Sequence, residues 1–131
     1  MYGNTAIFGR LAQLAKAFNT DGIGFDEYLW TSLYEYADGD QIPEPGHIVE
    51  ITHLWATSPE GYGSTSLAFL ARHQDGRWIT CVAWSDTSGF GCQQGVDWRI
   101  NDTREQAISQ GLDKESRAHL GLALPGEETA S

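Results

Sequence analysis

Few side chains in this sequence could do chemistry, and they gather in one loop, where residues 85–95 carry Cys92 among Gly89, Gly91 and Gly95. A thiol at Cys92 becomes a nucleophile if a histidine and an acid converge on it. His47, His53, His73 and His119 are the available bases and Asp86 the nearest acid, but no spacing joins them to the thiol. The three glycines sit one residue too far apart for a dinucleotide fingerprint, a strand follows where a helix is required, and no lysine accompanies them. They read as backbone positions that permit positive φ where the chain reverses. Asp21 to Tyr28 repeats the second half of a calcium loop. With Gly22 at its sixth position, however, the first falls on Ala17 and the twelfth on Tyr28, and neither is a ligand. The histidines lack a paired metal-binding spacing, and there is no Cys-x-x-Cys or Gly-x-Ser-x-Gly. No catalytic residue, metal or cofactor is therefore predicted.

Charge is more informative. The net charge is -10, and between Ala17 and Ala71 there is no Lys or Arg but nine acids: Asp21, Asp26, Glu27, Glu35, Asp38, Asp40, Glu44, Glu50 and Glu60. The other residues hold nine acids against eight bases, so nearly all the excess charge lies on this one segment. Such a field repels phosphate backbones and anionic lipid and favours a partner with a basic surface. Direct nucleic-acid binding is not expected, nor is membrane association, since no apolar run approaches a membrane span. With 131 residues, 40% of them hydrophobic, a single globular domain is expected. No basic segment followed by an apolar run opens the chain, so a cytoplasmic location is expected, with Cys81 and Cys92 reduced.

The elements that must position these residues follow from periodicity. Asn4 or Thr5 can cap a helix through Phe18, with Ile7, Leu11, Leu14 and Phe18 on one face and Arg10, Gln13 and Lys16 toward solvent. A second helix runs from about Phe25 to Ala37, its inward stripe formed by Phe25, Leu29, Leu33 and Tyr36. Glu27, Thr31, Glu35 and Asp38 form the opposing stripe, and Trp30 and Tyr34 sit between the two. An aromatic pair beside an acidic stripe suits a docking surface, because Trp and Tyr are enriched at binding hot spots. The plainer alternative is a helix buried on a wide face.

Pro43 and Pro45 then end the helical half, and the period changes from 3.6 to 2. His47 to Thr57 reads as a strand with apolar residues on both faces, either central or covered by helices. Thr65 to His73 is the second strand, and Asp75-Gly76 a two-residue hairpin signal. In the third strand Trp78, Thr80, Val82 and Trp84 share one face, and Ile79, Cys81 and Ala83 the other. In the fourth, Val96, Trp98 and Ile100 alternate with Asp97 and Arg99. Thr103 with Gln106 makes a capping box for a short helix ended by Gly111. Asp113 caps another, Lys114 to Leu120, closed by Gly121, and the tail 125–131 is expected to fray.

The segment Ser85-Asp86-Thr87-Ser88-Gly89-Phe90-Gly91-Cys92-Gln93-Gln94 resembles an Asp-x-Ser/Thr-Gly-Phe/Trp-x-Cys-Gln segment. That segment belongs to small uncharacterised proteins common in actinobacteria and their phages, in which a strand and a short helix follow likewise. The likeness covers the last third to half of the chain. Thr87 and Phe90 stand where such proteins often carry Tyr and Trp. The resemblance implies a bacterial or phage origin and the strand-then-helix ending, and carries over no catalytic role.

The expected fold is α+β: a helical half over 4–38, a four-stranded, mostly antiparallel sheet over 47–101, and two short helices over 103–121, with the helices on one sheet face. The expected function is non-catalytic, through protein–protein contacts, as a phage-encoded or bacterial regulator or inhibitor. Candidate contacts are Glu27, Trp30, Tyr34, Glu35 and Asp38 on the second helix, and Thr87, Phe90 and Gln93 in the loop. Two alternatives stand beside it. One is a nucleic-acid mimic whose acids in 17–71 form a ladder against a DNA-binding protein, and the other is a small Cys92-dependent enzyme.

Overall fold

The computed structural model describes residues 5–18, 27–35, 37, 41–57, 65–86 and 93–127. Helices α1 (Thr5–Ala15) and α2 (Glu27–Glu35) precede four strands: β1 (Ile48–Thr57), β2 (Thr65–His73), β3 (Trp78–Asp86) and β4 (Gln93–Asn101). The strands form one sheet in the order β1-β2-β3-β4, each neighbour antiparallel. Then α3 (Arg104–Gln106) runs on into a π-helical turn, Ala107–Gly111, and α4 (Lys114–Leu120) follows. This is the α+β class expected from the pattern.

One sheet face carries Leu67, Phe69 and Ala71 of β2, Ile79, Cys81 and Ala83 of β3 and Trp98 of β4, packed with Phe8 and Leu11 of α1 and Leu33 of α2. On the opposite face, Leu70 packs with Ala107 and Ile108 of the π turn, flanked by Trp78, Leu122 and Leu124. The helices therefore cover both faces of the sheet, not one. The reason is legible in β2 and β3, which are apolar on both sides and can leave neither in water.

The burial stripe of α2 is also rotated from the expected one. Trp30 is 0% exposed and Tyr34 4%, while Leu29 is only half-buried. Both rings join an aromatic cluster: Trp30 against Phe69 at 5.4 Å between centroids, Tyr34 against Phe8 at 5.5 Å and Trp98 at 5.0 Å. The Trp98 indole N–H donates to the Leu33 carbonyl at 2.9 Å. Burying the Trp30 and Tyr34 rings removes a large apolar surface from water, and each ring pair adds about 0.5–1.5 kcal/mol.

β1 lies at the edge of the sheet and departs from simple alternation. Ile48 and Glu50 face consecutive residues of β2, as do Ile51 and His53, so Val49 and Thr52 are extra residues in two bulges. Each bulge reverses the phase, which brings Ile48, Ile51, Leu54 and Ala56 all into the core. Arg10, expected to point to solvent, reaches back from α1 and donates two hydrogen bonds to the Ile48 carbonyl. At the other edge the Ile100 N–H donates to Gln41 Oε1 at 2.9 Å, and Ala37 bridges Val96. Bulges and covering groups of this kind guard edges against pairing with another chain.

The β2–β3 connection closes through His73 N–H to the Arg77 carbonyl at 2.9 Å, with Gly76 at φ 94°. It is a three-residue loop with a left-handed glycine rather than a two-residue turn. The predicted helix caps form: Thr103 Oγ1 accepts from Gln106 N–H at 3.1 Å, and Asp113 Oδ1 from Ser116 N–H at 2.7 Å. Gly121 closes α4 at φ 76°.

Candidate aromatic and acidic groove

The C-terminal segment does not cover its sheet face completely. Beyond the π turn, Val82 and Trp84 of β3 and Gly95, Asp97 and Arg99 of β4 floor an open groove of about 510 Å³, walled by residues 110–113. A smaller recess of about 230 Å³ adjoins it and shares Val82, Trp84 and Asp113, adding Trp55 and Glu115.

Trp84 is the central feature, a tryptophan left 46% exposed. Its cross-strand partner is Gly95. A Cβ built on Gly95 would stand 2.7 Å from Trp84 Nε1 and 3.1 Å from Cε2, so the indole lies over bare glycine backbone. Gly95 was expected to permit positive φ in a reversal. It lies instead within β4 and serves a close approach, the other physical use of glycine.

The groove wall is seated in the same way. A Cβ on Gly111 would fall 2.2 Å from Thr80 Oγ1 and 3.0 Å from Thr80 Cβ, so the missing side chain lets the π turn rest on β3. Thr80 is fully buried, and its hydroxyl has no hydrogen-bond partner among the described residues. Arg117, 8% exposed, clasps the wall from behind. Its guanidinium donates to the carbonyls of Ile108 at 3.1 Å and of Leu112, groups that a helix end leaves unpaired. It also forms a two-pronged ion pair with Glu127, whose Oε1 accepts from Leu124 N–H at 2.9 Å as well. The Arg117 hydrogen bond, with the Leu124 N–H, holds the Glu127 carboxyl at a pKa of about 2, and the same bond pushes Arg117 upward. The tail is thus tied back through Glu127; residues 128–131 lie outside the described residues.

At the far end of the recess Trp55 and His119 stack at 4.0 Å and 6° between planes. His119 Nε2 lies 3.9 Å from Glu115 Oε2. The charges lining the groove are Asp97, Asp113 and Glu115 against Arg99, and Arg99 pairs with Asp97 at 3.2 Å. What remains is an exposed indole among three carboxylates and one guanidinium. Chemically this arrangement sets carboxylates beside an aromatic ring.

The residues singled out from sequence have mixed fates. Trp30 and Tyr34 are core residues and cannot meet a partner, because the aromatic cluster consumes their surface. Glu35 is exposed at the end of α2. Glu27 begins that helix, but its side chain lies outside the described residues, as do Asp38, Thr87, Phe90, Cys92 and the side chain of Gln93. Of the stretch 21–28 that echoes a calcium loop, residues 21–26 and the side chains of Glu27 and Tyr28 lie outside them as well. Cys81 is buried in β3, and burial, with the Asp97 charge behind it, pushes its thiol well above the ordinary range. Among the described residues no group of three or more His, Cys, Asp or Glu is placed to hold a metal ion. No described helix is long and apolar enough to cross a membrane.

Sequence reasoning placed Trp84 on the correct face with Trp78, Thr80 and Val82 but not at an open site. The signal it lacked was the β3–β4 register, which sets Trp84 opposite a glycine and beside Asp97. No protein-family model, curated protein or solved structure matches the chain.

Proposed function

We propose that this protein acts without catalysis, by binding a protein partner through the groove around Trp84, as a regulator or inhibitor of bacterial or phage origin. The observation that carries the reading is Trp84 itself. A half-exposed tryptophan on an incompletely covered sheet face, with Asp97, Asp113 and Glu115 around it, suits a contact surface of the aromatic kind that anchors interfaces. The partner surface is basic, as the net charge of -10 favours and the lining carboxylates require. The segment Ser85 to Gln94 supports the origin through its likeness to actinobacterial and actinophage proteins.

The test is affinity capture from an actinobacterial lysate with the native chain, compared with Trp84→Ala and with Glu35→Gln on α2. A partner retained by the native chain and by Glu35→Gln, released by added salt and lost in Trp84→Ala, is the expected result. Equal retention by Trp84→Ala rules out the groove as the contact.

A further inference from the structure

Resting on that interaction reading, we infer that the groove receives an arginine side chain of the partner, stacked as a guanidinium on the open face of Trp84. Three features lead there. The indole lies against Gly95 with no side chain between it and β4, and the residue is still 46% exposed, so part of the ring surface is open to a guest. A free indole face attracts a cation through its quadrupole, and more strongly where walls exclude water. The groove supplies apolar surface in Val82 of its floor and Leu112 of its wall, and carboxylates in Asp97, Asp113 and Glu115.

The charge arithmetic favours a cationic guest. Arg99 is occupied by Asp97 at 3.2 Å, Asp113 spends Oδ1 on capping α4 and feels the charge of Arg117, and Glu115 pairs with no Lys or Arg among the described residues, His119 lying 3.9 Å away. Arginine fits better than lysine for a physical reason. Its planar guanidinium stacks flat on an aromatic ring and still presents N–H donors at its edge to carboxylates, and it is less tightly hydrated than an ammonium. Gly95 belongs to this recognition, since any side chain there would lift or tilt the indole.

The experiment titrates the full ¹⁵N-labelled chain with N-acetyl-arginine methylamide and follows the Trp84 indole and Gly95 amide resonances. Parallel titrations use the lysine analogue and the neutral citrulline isostere. Arginine is expected to move both resonances, with citrulline about tenfold weaker and lysine weaker than arginine. Trp84→Ala should abolish the response, and Gly95→Ala should reduce it while the remaining resonances hold their positions. Equal affinity for citrulline, a response centred elsewhere, or an unchanged response in Trp84→Ala overturns the proposal, and lysine matching arginine overturns the guanidinium assignment. A partner that is still lost in Trp84→Ala, with no arginine response, sinks this inference and leaves the interaction reading standing.

Discussion

Replacing Gly111 with Ala tests whether the groove wall is seated by direct contact with the sheet. The new methyl would stand 2.2 Å from Thr80 Oγ1, closer than real contacts allow, and 3.0 Å from Thr80 Cγ2, tighter than most of them. Thr80 is fully buried and cannot swing aside, so the π turn must lift or β3 must shift. Overpacking of this kind costs about 1–3 kcal/mol. A gain of up to about 1 kcal/mol from replacing a helical glycine offsets part of it. The net loss of roughly 1–2 kcal/mol corresponds to about 3–8 °C in melting temperature for a chain of this size.

Thr80→Ala removes Oγ1, the worst clash, and Cγ2, and keeps only Cβ at 3.0 Å. Alone it should be close to neutral, because the lost methyl contact is balanced by removing a buried hydroxyl without a partner, a group whose burial costs about 1–3 kcal/mol. In that background Gly111→Ala should become neutral or slightly stabilising, giving a coupling of about 1–2 kcal/mol. Urea unfolding of the four proteins, followed by tryptophan fluorescence, measures the cycle. Additivity of the two changes to within about 0.5 kcal/mol would refute direct seating of the turn on Thr80.

Two further outcomes follow from buried or paired groups. Arg117→Met should cost about 2–4 kcal/mol, because it strips the Ile108 and Leu112 carbonyls and leaves Glu127 without its cation; a loss below that of an ordinary surface substitution would discount the clasp. The same pair sets an acid sensitivity. The folded pKa of Glu127, about 2, lies below its ordinary value of 4.5, so its stabilisation is full above pH 4.5 and lost as pH falls toward 2. Urea midpoints at pH 5 and pH 3 should therefore fall less in Glu127→Gln than in the native chain. Cys81, in a Cys92→Ser background, should resist a disulfide reagent at pH 8 in the folded protein and react once urea exposes it. Reaction at the rate of a free thiol in the native state would contradict its burial in β3.

The sequence by itself determined what depends on neighbours along the chain. Thr103, Asp113 and Gly121 mark helix ends because caps are local hydrogen bonds and local φ values. The alternation in β2, β3 and β4 placed Trp78, Thr80, Val82 and Trp84 together because side chains of a strand alternate wherever it pairs. What the sequence left open was decided by partners far away in the chain. The bulges at Val49 and Thr52 depend on matching β1 to β2, and the rotation of α2 depends on Phe69 and Trp98 waiting on the sheet. Trp30 and Trp84 show the same division. Both are tryptophans within three residues of an acid in the sequence, yet one is fully buried in an aromatic cluster and the other stands half-exposed over a glycine. Residue type records what a side chain can do, and only packing decides whether its surface is spent inside or left for a partner.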